Sequence, residues 1–116
     1  MEFIPYKLNE VITNSFYQIP KELFTSPYYY YLSNVSKLLY GLLLDRLSLS
    51  MKNNWVDENG NIYLILSRNE VGKKLHISDK TVTKLFKELS EAKLIYDVRT
   101  GFKKNNIIYV GKINYF

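Results

Sequence analysis

Two helix-starting signals stand eleven residues apart in this chain, at Ser67 and at Ser78, so two short helices must meet at a tight turn. Ser67-Arg68-Asn69-Glu70 is a capping box. The Ser hydroxyl can accept from the backbone N–H of Glu70 while the Glu carboxylate reaches back to the N–H of Ser67. Val71 and Leu75 give the first helix an apolar stripe, and it should stop near His76, because Ser78 offers the next N-cap. The second helix is expected from Asp79 to about Ala92, with Asp79 favoured in its first turn by the helix dipole. On a 100° wheel Val82, Leu85, Phe86 and Leu89 fall within about 100° of one another, the width of a core-facing stripe. Lys80, Thr83, Lys84 and Lys87 then occupy the opposite half, with Thr81 and Glu88 on its flank. Two short helices joined by a tight turn, the second presenting a Lys/Thr face, match a helix-turn-helix, whose second helix enters the DNA major groove.

The next segment narrows the class. Leu94 to Val98 and Ile107 to Val110 both read as strands, and the eight residues between them carry Arg99, Lys103 and Lys104. Helix, turn, helix and basic-tipped hairpin is the winged-helix order, and those three cations sit where a wing touches phosphates or the adjacent minor groove. Lysine suits phosphates as a point charge, so base reading falls partly to Thr81, Thr83 and Lys84. The charge distribution agrees: residues 1–66 hold five Lys/Arg against six Asp/Glu, whereas residues 67–116 hold eleven against five. A strongly basic half on a neutral one is the electrostatic footprint of a binder of nucleic acid or another anionic surface.

The first 66 residues read as support. Phe16 to Ile19 is β-like and ends at Pro20, and residues 1–27 form an N-terminal arm. Ser33 or Asn34 can cap a helix over about 33–50, whose apolar positions (Val35, Leu38, Leu39, Leu42, Leu43, Leu47, Leu49) make a stripe too wide for a surface helix. It should be the central helix of the core, with one flank left for a partner subunit. Residues 55–66 read as a β-hairpin around Asp57-Glu58-Asn59-Gly60. That stretch superficially resembles a calcium loop, but it lacks acidic residues at alternate positions and a Glu at position twelve. No repeat or linker divides the 116 residues, so residues 1–116 are expected to be one α+β domain, with a helix-turn-helix over 67–92 and a wing over 94–113.

Several function classes are excluded. Zero Cys removes thiol catalysis, zinc knuckles and Fe–S ligation, and with one His little remains for a metal site, so neither metal nor cofactor is expected. His76 has no recognisable Ser or Asp partner motif, and neither a Walker A nor a GxGxxG sequence occurs, so the chain is not read as an enzyme. Glu2 and Glu10 interrupt the first ten residues, which do not form a signal peptide. The longest apolar run, Leu38 to Leu44, is far short of the roughly 20 residues that cross a bilayer. A cytoplasmic protein without membrane attachment is expected.

The run FYQIPKELFTSPYYYYLSNVSKLLYGLLLDRLSLS, Phe16 to Ser50, followed by NGNIYLILSRNEVGKKLHISDKTVTKLFKELSEAKLI, Asn59 to Ile95, closely resembles the N-terminal domain of the RepA-type (RepA_N) plasmid replication initiators of Gram-positive bacteria. The FYQIPK and YYYYLS stretches are not general helix-turn-helix features. The resemblance implies a winged-helix domain that binds direct repeats, or iterons, in double-stranded DNA at a plasmid origin to start replication. It also implies recognition-helix positions at Ser78, Lys80, Thr81, Thr83, Lys84 and Lys87. With Ser67 and Arg68 at the start of the preceding helix and Arg99, Lys103 and Lys104 in the wing, these make the candidate DNA contacts. Such initiators continue into a linker and a C-terminal domain that engages host replication proteins; that domain is expected to be absent from these 116 residues. Family members bind as dimers or higher assemblies, and Tyr28, Tyr29, Tyr30, Tyr31, Leu39 and Leu43 are the candidate surface. A winged-helix transcriptional regulator, or a winged helix that serves protein interaction or oligomerisation, shares the physical features read from the residues.

Overall fold

A computed structural model describes residues 2–98 and 107–113. Its element order is α1 (Glu22–Thr25), a 3-10 turn (Pro27–Tyr29), α2 (Asn34–Lys52), β1 (Leu64–Ile65), α3 (Arg68–Leu75), α4 (Asp79–Glu91), β2 (Ile95–Val98) and β3 (Ile107–Val110). The strands form one antiparallel sheet in the order β1-β3-β2. Helices α2, α3 and α4 and the three-stranded sheet thus enclose one core, to which α1 adds Leu23, in the winged-helix arrangement of the α+β class.

Helix α2 starts at Ser33, whose side chain accepts from the N–H of Ser36. A second cap comes from across the fold: the Glu88 carboxylate of α4 accepts from the Ser33 N–H at 2.9 Å and from its hydroxyl at 3.3 Å. An anion at a helix N-terminus is favoured by the dipole, so this contact fixes α4 against α2. Leu39, Tyr40, Leu42 and Leu43 of α2 are buried with Val82, Leu85, Phe86 and Leu89 of α4 and with Leu64, Ile95 and Ile108 of the sheet. The stripe of α2 is less complete than its composition suggests, because Val35, Leu38, Leu49 and Met51 remain exposed.

Three local expectations change. Phe16 to Ile19 forms no strand; Ile19 instead packs over α2 at Gly41, where a Cβ would meet Ile19 Cγ1 at 2.7 Å and the Gln18 carbonyl at 3.1 Å. The backbone there runs across a helix and has no strand edge to bond. Residues 55–66 do not make a self-contained two-stranded hairpin. A single bridge, Val56 with Ile62, closes the turn, after which Leu64–Ile65 leaves to pair with β3 in the register Leu64↔Ile108 and Ile65↔Ile107. Leu64 and Leu66 are buried there, and a hairpin this short has no face of its own on which to bury them. The turn is held by Asp57, whose Oδ1 accepts from the N–H groups of Asn59 and Asn61 at 2.9 Å each, and whose Oδ2 accepts from the Tyr109 hydroxyl at 2.9 Å. Lastly, half of the capping box forms: Ser67 accepts from Glu70 N–H at 3.1 Å, but the Glu70 carboxylate turns to Arg46 of α2 at 3.5 Å.

The Tyr40 hydroxyl donates to the Gly111 carbonyl at 2.6 Å, tying α2 to the residue that follows β3. Burial pushes its pKa up to about 12, with Tyr29 adding to the shift. The unfolded chain releases this proton near the ordinary tyrosine value of about 10, before the native chain does. Native stability from this group is therefore full below pH 10 and is lost as pH rises toward 12. Tyr40→Phe should cost about 1 kcal/mol at neutral pH and flatten the alkaline fall of the melting temperature, as thermal melts from pH 8 to 11 would show. Gly72→Ala should destabilise by about 1–3 kcal/mol, because its Cβ would sit 2.8 Å from the Ile77 carbonyl in the turn between α3 and α4; urea unfolding reads this directly.

Candidate nucleic-acid interface

The geometry of α3 and α4 follows from the turn between them. Helix α3 ends at His76, which takes the left-handed conformation (φ 58°, ψ 46°) and returns its N–H to the Gly72 carbonyl. The Ile77 N–H bonds the same carbonyl at 3.0 Å. This reversal needs backbone at close quarters, which the absence of a side chain on Gly72 permits. Ser78 then caps α4, accepting from Thr81 N–H at 3.2 Å, while its hydroxyl and that of Thr81 lie 3.0 Å apart. Burial of Val82, Leu85, Phe86 and Leu89 fixes the roll of α4.

With that roll set, Ser78, Lys80, Thr81, Thr83, Lys84 and Lys87 are all exposed on one helix. None of the three lysines forms an ion pair with another described residue. Their charge is uncompensated at the surface, which is what attraction of a polyanion requires. The fold adds residues that the sequence reading did not single out. A shallow groove where α3 meets the start of α4 is lined by Asn69, Lys73, His76 and Ser78, among others. Asn69 and Lys73 are exposed and one helical turn apart, a spacing visible in the sequence.

Arg68 does not stand where the sequence reading placed it. Its Nη2 pairs with Asp97 Oδ2 of β2 at 3.1 Å, its Nε donates to Thr83 Oγ1 at 3.1 Å, and its guanidinium lies 4.6 Å from the centroid of the Phe86 ring. Arg68 is a bridge between α3, α4 and the wing strand, with its side chain 19% exposed. The sequence held a hint of this. A cation in the first turn of a helix opposes the dipole and needs a partner elsewhere. Ser67 likewise spends its hydroxyl on the helix cap. Thr83 stays exposed, but its hydroxyl donates to the Asp79 carbonyl at 3.1 Å as well as accepting from Arg68. Arg99, Lys103 and Lys104 lie outside the described residues.

The expected dimer surface is also redrawn. Tyr29, Leu39 and Leu43 are 0% exposed. They are core residues of the single chain, held there by the packing of the 3-10 turn and α2, and cannot meet a partner. Tyr28, Tyr30 and Tyr31 keep exposed rings, and Val35 and Leu38 are the exposed flank of α2. Among the described residues no cluster of metal-binding side chains occurs, and no helix is long and apolar enough to cross a membrane.

Comparison with known proteins places this architecture. A solved structure of the N-terminal domain of a DNA-binding protein superimposes with a TM-score of 0.80 at 40% identity, covering 93% of this chain and 87% of that one. A Rep–DNA complex gives 0.80 at 43% identity, covering 88% and 78%, and an MDR initiator gives 0.78 at 41%, covering 88% and 80%. A 41 kDa protein of Lactobacillus helveticus is 29% identical over 101 residues, which are 87% of this chain and 29% of that protein, so the chain spans under a third of that relative's length. The family model for the N-terminus of replication initiator protein A (RepA_N) matches residues 15–115. A match over nearly the whole chain, together with three solved neighbours at 40% identity or more, shows that this chain belongs to the RepA_N family of replication initiator N-terminal domains.

Proposed function

We propose that this domain binds repeated sites in double-stranded DNA at a plasmid origin and thereby positions an initiator for replication. The observation that carries the reading is the exposed, unpaired lysine face of α4, set by the burial of its opposite stripe. The family membership and the neighbouring Rep–DNA complex point the same way. In this reading Lys80, Lys84 and Lys87 neutralise phosphates, and base reading in the major groove falls to Thr81 and Thr83 and partly to Lys84, Thr83 with its methyl group and one remaining acceptor position. Asn69 and Lys73 follow the backbone at the helix junction, and Arg99, Lys103 and Lys104 of the wing supply further phosphate contacts. The domain acts by binding, without catalysis or a cofactor, in the cytoplasm. It self-associates on its repeats through a surface that includes Tyr28, Tyr30 and Tyr31, and host replication proteins are engaged by parts of the initiator beyond this domain.

Lys73, Lys80, Lys84, Lys87, Arg99, Lys103 and Lys104 would neutralise about seven phosphates, so log K against log salt should have a slope near −6 per protomer. Selection of duplexes from a random pool, followed by anisotropy titration of the winners at several salt concentrations, tests this. Enrichment of repeated sites with a steep slope is expected; no enrichment and a slope near zero would refute the assignment. Replacing Lys80, Lys84 and Lys87 together by Gln should reduce the slope by about 2.7 while the thermal melt stays within a few degrees. Loss of self-association with DNA binding intact would instead mark the face as a protein interface.

A further inference from the structure

Asp97 occupies a position that the pleat reserves for an apolar side chain. Along β2, Ile95 faces the core and Tyr96 is 68% exposed on the opposite side. Alternation then turns Asp97 back toward the helices, and its register partner in β3 is Ile108, which is fully buried. The carboxylate is 14% exposed and meets Arg68. The pair is joined by one contact rather than by a two-pronged fork: among the described residues, Arg68 Nη1 and Asp97 Oδ1 are buried and have no hydrogen-bond partner. Such a pair is a poor source of stability, since desolvation of two charges offsets their attraction and well-packed apolar residues would serve the fold as well. What the pair does supply is position. It holds a guanidinium at the root of the wing, against the Thr83 hydroxyl of the recognition helix.

We infer that Asp97 is a specificity-determining positioning residue: it withholds Arg68 from the DNA backbone and makes it a brace for Thr83. This rests on the DNA-binding reading above and deepens it. A free arginine beside a DNA-facing helix would bind any phosphate, raising affinity for all sequences alike and so lowering discrimination. Neutralised by Asp97 and fixed over Phe86, Arg68 instead limits the freedom of the Thr83 side chain. The Arg68 side chain keeps 19% exposure, so an outside acceptor can compete for it once the carboxylate charge is gone.

The test measures salt slopes and sequence discrimination of the chain on a duplex selected by the wild type and on a scrambled duplex. Asp97→Asn should steepen the slope on scrambled duplex by about 0.9 and tighten that binding about five- to tenfold at 0.1 M salt, with discrimination falling. Asp97→Glu, which keeps the charge, should hold the wild-type slope. Arg68→Gln should leave the slope unchanged and relax preference at the base facing Thr83. A slope reduced by about 0.9 in Arg68→Gln, or no change of slope and discrimination in Asp97→Asn, overturns the inference. Where a single variant fails to fold by circular dichroism, Arg68→Met combined with Asp97→Leu removes both charges; a wild-type slope is then expected, and a loss of about 0.9 overturns it. A wild type that shows neither salt dependence nor preference defeats the DNA-binding reading itself, a different result from a normal wild type with unresponsive variants.

Discussion

The burial of one stripe of α4 decides most of what this domain is. Val82, Leu85, Phe86 and Leu89 close the space between α2 and the sheet, and at roughly 1.5–3 kcal/mol for each large side chain removed from water they cannot be rotated outward. The roll of the helix is thereby set, and Lys80, Thr83, Lys84 and Lys87 have nowhere to go but solvent. Core packing and the presentation of the lysine face are one constraint viewed from two sides. The Glu88 contact to Ser33 strengthens it, because it fixes the far end of the same helix by a charge-assisted cap on α2.

How much of this is legible in the sequence depends on the range of the interaction. The caps at Ser33, Ser67 and Ser78, the stop near His76 and the inward stripe of α4 arise from near neighbours in the chain and are visible in the order of the amino acids, whereas the left-handed conformation that His76 takes at that stop is not. What resists reading is the choice of partner across the chain. Glu70 has the right spacing for a reciprocal cap but finds Arg46, which lies 24 positions away, and Leu64–Ile65 leaves its apparent hairpin to join β3. The tyrosine run shows the same limit. Four identical side chains in succession carry no periodic signal, yet Tyr29 is fully buried and its neighbours are exposed, because the 3-10 turn directs one ring into the core.

The basic residues divide by the same rule, and the division matters more than their number. A net charge of +5 says only that cations are in excess. In the fold, Arg46 and Arg68 are used internally, and Lys37 is buried with its ammonium 4.6 Å from the centroid of the Phe24 ring. The lysines of α4 have no such engagement among the described residues. A long polar side chain that packs or pairs within its own molecule has already lost its conformational freedom and much of its field; one that does neither keeps both for a ligand. Arginine, with its planar fork and weaker hydration, suits the first role, and lysine, compact and strongly hydrated, suits the second. Both described arginines are committed internally, and the cations left facing solvent on α4 are lysines. The chemistry of each side chain matches its position, so the α4 face is fixed in backbone by its buried stripe while its lysines keep their side-chain freedom.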